Sequence, residues 1–500
     1  MEERYIAAVD LGSSKIALTV ARISGEDIQI LYYKERPSDG IRNSAVFNPQ
    51  KASVPIREAV EEAQQELNIK IMQVVVSLPR CEVRQEIAQA SVERNNPDES
   101  ITAEEVDSLK RLAQDSYPLT DPEKEELYGA IAQSFSDDEN FQLIENDIIG
   151  VISRNFEGNF KLFIGKKRAV ETIDKVFNNL GIAIARKYFS PGSIAKAVLT
   201  TDEMENGVAL IDFGGGATSV TIYKGKILRY YASIPFGGKV ITSDIRSECT
   251  ISETLAENIK LAYGACMPDR LQNLEEKIIQ IEGDEMEGYK QIPVKYLSEI
   301  ITARTREIID AILYQIQESN LADSLRSGVV VTGGGAELTN LCHFIKELSG
   351  YNVRQGYPRH LFSASGCEGA YGCAASNSIG MILEAKADGL LNCIEAPEFR
   401  MQGFGIEMET PVSEEAPEPA YEGETYAADS QPSDSLFTEE EVPKEEKARK
   451  PRKVKEPKEP KEHKPFISIT WKSKVQKLFG NIYEGVGSFY DNVGNDDEEV

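Results

Sequence analysis

Three short stretches of this chain set glycines or other small residues directly after an uncharged, strand-like run, and two of them begin with a carboxylate. YIAAV over 5–9 runs into Asp10-Leu11-Gly12-Ser13-Ser14-Lys15, and VALI over 208–211 runs into Asp212-Phe213-Gly214-Gly215-Gly216-Ala217-Thr218-Ser219. The third, VVVT over 329–332, runs into Gly333-Gly334-Gly335. Small residues let backbone N–H groups close on an anion, and Ser13, Ser14 and Lys15 add side-chain donors. A carboxylate beside a phosphate is repulsive unless a cation stands between them, so Asp10 and Asp212 imply a divalent ion such as Mg2+, reached through water. The pattern predicts two facing turns that grip a polyphosphate and its metal. Neither turn fits the P-loop pattern or the dinucleotide pattern G-x-G-x-x-G. Any one of the three could be only a turn; their shared context, each after a buried strand, argues for a common site.

The elements that must hold these turns can be read from pattern. A second strand over 16–23 makes the first turn a β-hairpin tip, and a strand over 220–223 does the same for the second. A helix is expected over 53–67, a buried strand over 74–78, and a helix starting near Leu338 after the triple glycine. Between Cys81 and Gly165 the chain turns more polar. A helix over 102–114 there opens with Thr102-Ala103-Glu104-Glu105, a capping-box pattern. The stretch 117–138 shows little core-forming sequence, and the whole block reads as an insertion.

In this order and spacing, the turns resemble the two phosphate motifs and the adenosine motif of the actin, sugar-kinase and DnaK-type chaperone superfamily. Within it the chain resembles the FtsA family of bacterial cell-division actins over about residues 1–391. Ile101-Thr102-Ala103-Glu104-Glu105-Val106 resembles a helix start in the subdomain that FtsA inserts into its first lobe. Pro235-Phe236-Gly237-Gly238 with Ile241-Thr242-Ser243-Asp244-Ile245, Ala256-Glu257-Asn258-Ile259-Lys260 with Tyr263-Gly264, and 300–308 (IITARTREI) resemble further family stretches. The resemblance implies an α/β fold of two actin-like, ribonuclease H-like lobes closing on ATP and Mg2+. Glu257 and Lys260 would flank the nucleoside and Gly333–Gly335 would underlie it; as bare sequence, Glu257 and Lys260 could equally be an i,i+3 surface pair. The second motif departs from the family pattern, since Ala217 stands for a threonine and Ser219 for an acidic residue. Thr218 offers a partial substitute hydroxyl. Nucleotide binding is therefore expected with weak hydrolysis at most, and no catalytic residue is assigned.

Composition excludes several classes. A formal net charge of −27 argues against a nucleic-acid partner. Seven scattered cysteines with no C-x-x-C and only three histidines argue against a zinc site and for reduced, buried thiols. The chain opens Met-Glu-Glu-Arg with no signal-peptide pattern, and no apolar run approaches the roughly 18 residues of a membrane span. Beyond Ala387 the globular pattern fades. Residues 394–443 carry fourteen acidic residues against one arginine, while 444–464 carry ten basic residues against five glutamates. This stretch is expected to be a disordered linker. Beyond it Trp471, Val475, Leu478, Phe479, Ile482, Tyr483, Val486, Phe489, Tyr490 and Val493 recur at helical spacing, flanked by Lys472, Lys474 and Lys477. That describes an amphipathic helix in a bilayer interface, with a partner groove or docking onto its own lobes as alternatives.

The expected organisation is subdomain IA from 1–80 and 166–199, the insert IC over 81–165, IIA from 200–245 and 327–391, and IIB over 246–326. The linker follows over 392–465 and the helix over 466–493. The resemblance implies a self-associating protein at the division site that tethers filaments of the tubulin homologue FtsZ to the inner face of the cell membrane and works with other division proteins. The FtsZ C-terminal tail would bind IIB, where Lys290, Lys295, Arg304 and Arg306 are the basic candidates. A pilus-assembly adaptor of the same fold and a metabolic actin-fold kinase or phosphatase are the rivals.

Overall fold

The computed structural model describes residues 3–272, 276–282, 289–387, 389 and 391–395. The expected tail helix lies outside the described residues, as does the linker except for 392–395. The chain begins with an antiparallel meander, β1 (Arg4–Leu11), β2 (Lys15–Ser24) and β3 (Asp27–Pro37), followed by a small ribbon of β4 (Ile41–Arg42) and β5 (Ala45–Val46). Helix α1 (Pro49–Leu67) starts earlier than its apolar pattern suggested, because Asn48 accepts from Lys51 N as N-cap and Pro49 supplies a fixed first φ. It leads to β6 (Gln73–Ser77), parallel to β1. Ile6–Val9 are at most 1% exposed, so this sheet is covered on both faces, as a strand without charges requires.

The insert is a three-stranded antiparallel sheet of β7 (Arg84–Glu93), β8 (Glu125–Asp137) and β9 (Asn155–Lys166), with β9 central. Helix α2 (Ala103–Ser116) buries Val106, Leu109 and Ala113 against it, and a single turn, α3 (Glu145–Ile148), precedes β9. The capping box at Thr102 and Glu105 forms as expected. Strand β8 overturns the reading of 117–138 as poor in core residues: Tyr128, Ala130 and Phe135 are buried along it. Register shifts after Leu127 and Ala132 break its alternation, which hides a two-residue period from any sequence reading. Helix α4 (Lys167–Leu180), strand β10 (Ala183–Tyr188), which pairs parallel with β6, and helix α5 (Ser190–Val198) complete the first lobe.

The second lobe repeats the plan. After α6 (Thr201–Asn206), strands β11 (Val208–Phe213), β12 (Thr218–Lys224) and β13 (Ile227–Ile234) form an antiparallel meander. Helices α7 (Gly238–Cys249) and α8 (Glu253–Tyr263), a ribbon of β14 (Ile278–Glu282) and β15 (Tyr289–Pro293), and the long α9 (Val294–Glu318) follow. Strand β16 (Val329–Thr332) lies parallel to β11, and β17 (Val353–Gln355) parallel to β16. The two five-stranded sheets, β3-β2-β1-β6-β10 and β13-β12-β11-β16-β17, thus share one topology. Between β16 and β17, the helix expected near Leu338 is a 3-10 turn over Gly334–Glu337, and α10 (Leu341–Ser349) begins only after Asn340 at φ 65°.

The last helix, α11 (Ser376–Lys386), corrects the expected organisation. Although 327–391 was assigned to IIA, α11 packs on β1, β2 and β6 and against α5, inside the core of the first lobe. Ile379, Met381, Ile382 and Ala385 are buried, and Gly380 lies on the Ser193 backbone so closely that a Cβ would collide. Chain order cannot report this return, because an all-buried helix carries no stripe that says which sheet it covers.

Candidate functional site between the lobes

Both hairpin tips fall at the same end of their sheets and meet between the lobes. At the first tip, the Asp10 carboxylate accepts from Asn377 Nδ2 of α11 at 2.8 Å and from Ser77 Oγ of β6 at 3.5 Å. Ser13 Oγ accepts from Ser44 N at 2.9 Å, and Lys15 Nζ pairs with Glu35 at 2.5 Å on the neighbouring strand. At the second tip, Gly214 N donates to Ala217 O at 3.0 Å to close the turn. Gly238 N and Lys239 N at the start of α7 then donate to the carbonyls of Gly214 and Gly215 at 3.0 and 2.8 Å. The tips approach so closely that a Cβ on Gly215 would strike Ser14 Oγ and one on Gly216 would strike Ser13 Oγ. The third turn comes in beneath: Gly333 holds φ 85°, and the place of its Cβ is taken by an Asp212 carboxylate oxygen and the Phe213 carbonyl.

A cavity of about 580 Å³ opens between these turns. Asp10, Gly12, Ser13, Ser14, Lys15, Asp212, Gly214, Gly215, Gly216, Glu257, Lys260, Gly333, Gly334 and Gly335 all line it, which brings together every expected phosphate and nucleoside residue except Thr218. Thr218 is buried in β12, and its hydroxyl donates to Phe236 O at 2.8 Å. It therefore offers no substitute for the missing threonine at 217. Glu257 and Lys260 are no solvated pair. The Lys260 side chain is 10% exposed, and its Nζ meets Glu257 Oε2 at 2.8 Å, Thr242 Oγ1 at 2.8 Å and Gly238 O at 3.0 Å. Burial pulls the Lys260 pKa down, and the Glu257 carboxylate holds against that pull.

Several lining residues escaped the sequence reading, and three of them bear on the two carboxylates and the triple glycine. Asn377 positions Asp10, and its own Oδ1 is buried with no hydrogen-bond partner among the described residues. Glu337 follows the triple glycine. Arg80, just past β6, places its guanidinium on the Asp212 carboxylate, with side chains 13% and 8% exposed. Two carboxylates awaiting one metal were expected, but the structure differs at the second. Asp10 fits as a carboxylate toward which a nucleotide-bound Mg2+ could turn its waters; Asp212 does not, because Arg80 already neutralises it. Among the described residues no group of three or more His, Cys, Asp or Glu could hold a metal.

The family model for the cell division protein FtsA matches residues 209–377, from β11 to the first residues of α11 and so across the second and third turns. Cell division protein FtsA of Neisseria meningitidis serogroup B is 28% identical over 362 residues, covering 72% of this chain and 85% of that protein. The Enterococcus hirae protein of the same name is 28% identical over 353 residues, covering 71% and 78%. This chain is similar to the FtsA family of cell division proteins. The fold is shared more widely: a PilM–PilN type IV pilus biogenesis complex matches with a TM-score of 0.52 at 15% identity, over 76% of this chain and 98% of that one.

Of the four basic residues proposed for a partner in the expected IIB region, Arg304 and Arg306 turn to different neighbours. Arg304 of α9 turns to α7, where it holds Asp244 at 2.5 and 3.1 Å, and also pairs with Glu307 at 2.6 Å. Arg306, two residues on, lies over the Phe344 ring of α10, 5.2 Å from its centre. Lys290 donates to Thr250 O at 3.1 Å, and Lys295 is half-buried near the start of α9. Spacing along a helix separates residues two apart, and Arg304 and Arg306 turn to different helices. The expected membrane residues Trp471, Lys472, Lys474, Val475, Lys477, Leu478, Phe479, Ile482 and Val486 lie outside the described residues. Among the described residues no helix is long and apolar enough to cross a membrane.

Proposed function

We propose that this chain is the nucleotide-binding, self-associating division protein of the FtsA type that ties FtsZ filaments to the inner face of the cell membrane. The observation that carries the reading is the convergence of Asp10, Asp212 and three small-residue turns on one interlobe cavity, in a chain similar to the cell division protein FtsA. Backbone donors at the Gly12–Ser14 and Gly214–Gly216 turns would take the phosphates of ATP, and Glu257, Lys260 and Gly333–Gly335 would frame the nucleoside. A Mg2+ carried by the nucleotide would be held on the Asp10 side and would supply charge neutralisation there. With alanine at 217 and the Thr218 hydroxyl committed, water positioning is poor, so hydrolysis is weak. The chain is assigned the subdomains IA, IC, IIA and IIB expected from sequence, with α11 moved to the first lobe. The FtsZ tail is assigned to 246–326, where Lys290 and Arg306 are exposed. The 466–493 segment supplies the lipid contact and the division-site localisation.

Co-sedimentation with anionic liposomes tests the whole reading. The full chain should pellet with liposomes and bring FtsZ filaments with it, more so with MgATP, while residues 1–464 should stay in the supernatant with FtsZ. A full chain that stays soluble in every condition overturns the tether.

A further inference from the structure

The cavity contains a cation of its own. Arg80 follows the first-lobe strand β6, yet its guanidinium sits on Asp212 at the end of the second-lobe strand β11, so the ion pair spans the two lobes. Its placement is built in. The Arg80 carbonyl accepts from Tyr231 OH at 2.6 Å, and Tyr231 is 1% exposed with its ring edge-on to Phe189 at 5.2 Å between centres. The guanidinium also lies along the second phosphate turn: Nη2 is 3.6 Å from where a Gly214 Cβ would stand. The other cations of the cavity wall are engaged elsewhere: Lys15 with Glu35, Lys260 with Glu257, and Arg36 with Glu58 and Glu62.

A carboxylate in a phosphate site needs a positive charge between itself and the ligand. A guanidinium is always protonated and carries five donors in a planar fork, so one edge can hold Asp212 while another meets a phosphate oxygen. We propose that Arg80 is the resident cation of this cleft: it neutralises Asp212 and binds the nucleotide's phosphates directly, so that binding does not depend on a divalent metal. This rests on the nucleotide-binding reading above and adds which group carries the charge.

The test is equilibrium binding of a fluorescent ATP analogue to the full chain, in excess Mg2+ and in EDTA. The native chain should lose less than about 5-fold in affinity when Mg2+ is removed. Arg80→Gln should lose about 10–100-fold in EDTA, the worth of a charged hydrogen bond, and recover most of it in Mg2+. Because Arg80→Gln leaves Asp212 buried without its partner, Arg80→Gln/Asp212→Asn is measured beside it, with folding checked by circular dichroism; the double variant, freed of the Asp212 charge, should lose less than the single variant in EDTA but still more than the native chain. A native chain that loses about 100-fold in EDTA overturns the proposal, since the metal then supplies the charge. So does a folded variant, single or double, that tolerates EDTA as well as the native chain. No binding under any condition overturns the nucleotide reading itself, and this proposal with it.

Discussion

Gly333 shows how narrowly the site is drawn at the scale of single residues. Its φ of 85° is strained for any side chain, and a Cβ would meet the Phe213 carbonyl at 2.7 Å as well as the Asp212 carboxylate. Gly333→Ala should therefore cost roughly 1–3 kcal/mol of stability, read from urea unfolding, and should weaken nucleotide binding by displacing Asp212. The cysteines make the opposite point, that a reactive residue type can be inert in place. All seven are free thiols. Burial pushes Cys266 up to about 12 and Cys81, Cys373 and Cys393 up to about 11. Thiolate is the reacting species, so these four should label slowly with a thiol reagent at about pH 8 and react fully once urea unfolds the chain. Fast labelling of any of them in the native protein would contradict that burial.

At the scale of elements, helix α2 and the β3–α1 contact offer separable tests. Thr102 accepts from Glu105 N at 3.2 Å, and the Glu105 carboxylate accepts from Thr102 N at 2.9 Å. Thr102→Ala should destabilise the chain by about 1 kcal/mol, within the range for lost N-caps, and should leave nucleotide binding unchanged because α2 lies in the insert. Between β3 and α1, Lys34 and Arg36 donate to Glu62 at 2.9 and 2.7 Å, which lowers its pKa from an ordinary 4.5 to about 2. A lowered carboxylate pKa stabilises the fold above the unfolded value and loses that contribution as pH falls through the folded one. The difference in urea midpoint between the native chain and Glu62→Gln should then be steady above about pH 5 and shrink toward pH 2.

At the scale of the described chain as a whole, polar contacts join the insert to the second lobe. Strand β13 is an edge of the second sheet, and the insert covers it. Gln85 donates to Tyr231 O at 2.5 Å and accepts from Tyr231 N at 2.9 Å, while Gln133 donates to Leu228 O at 3.0 Å. One amide side chain thereby makes the pair of bonds a neighbouring strand would make, which blunts the edge against stray pairing. A nucleotide touching both hairpin tips adds a further bridge between the lobes. At about 100 times its dissociation constant it should contribute about 2.7 kcal/mol and move both lobes' unfolding as one transition in calorimetry. Two transitions, of which only one responds, would show that the ligand contacts a single lobe.

The local parts were legible along the chain. Uncharged runs such as Ile6–Val9 and Val208–Ile211, each closed by a small-residue turn, read as strands covered on both faces, and a glycine or serine tip after an aspartate marks the hairpin turn within a few residues. The doubled plan of the lobes was legible for the same reason, since strand, acid and small-residue turn are neighbours in the chain. What joins distant segments exists only in the folded chain. Arg80 on Asp212, Asn377 on Asp10, α11 under the first sheet and Thr218 turned to Phe236 all depend on which surfaces meet after folding. A guanidinium finds a carboxylate 132 positions away through packing between lobes, and no spacing or period along the chain carries that contact.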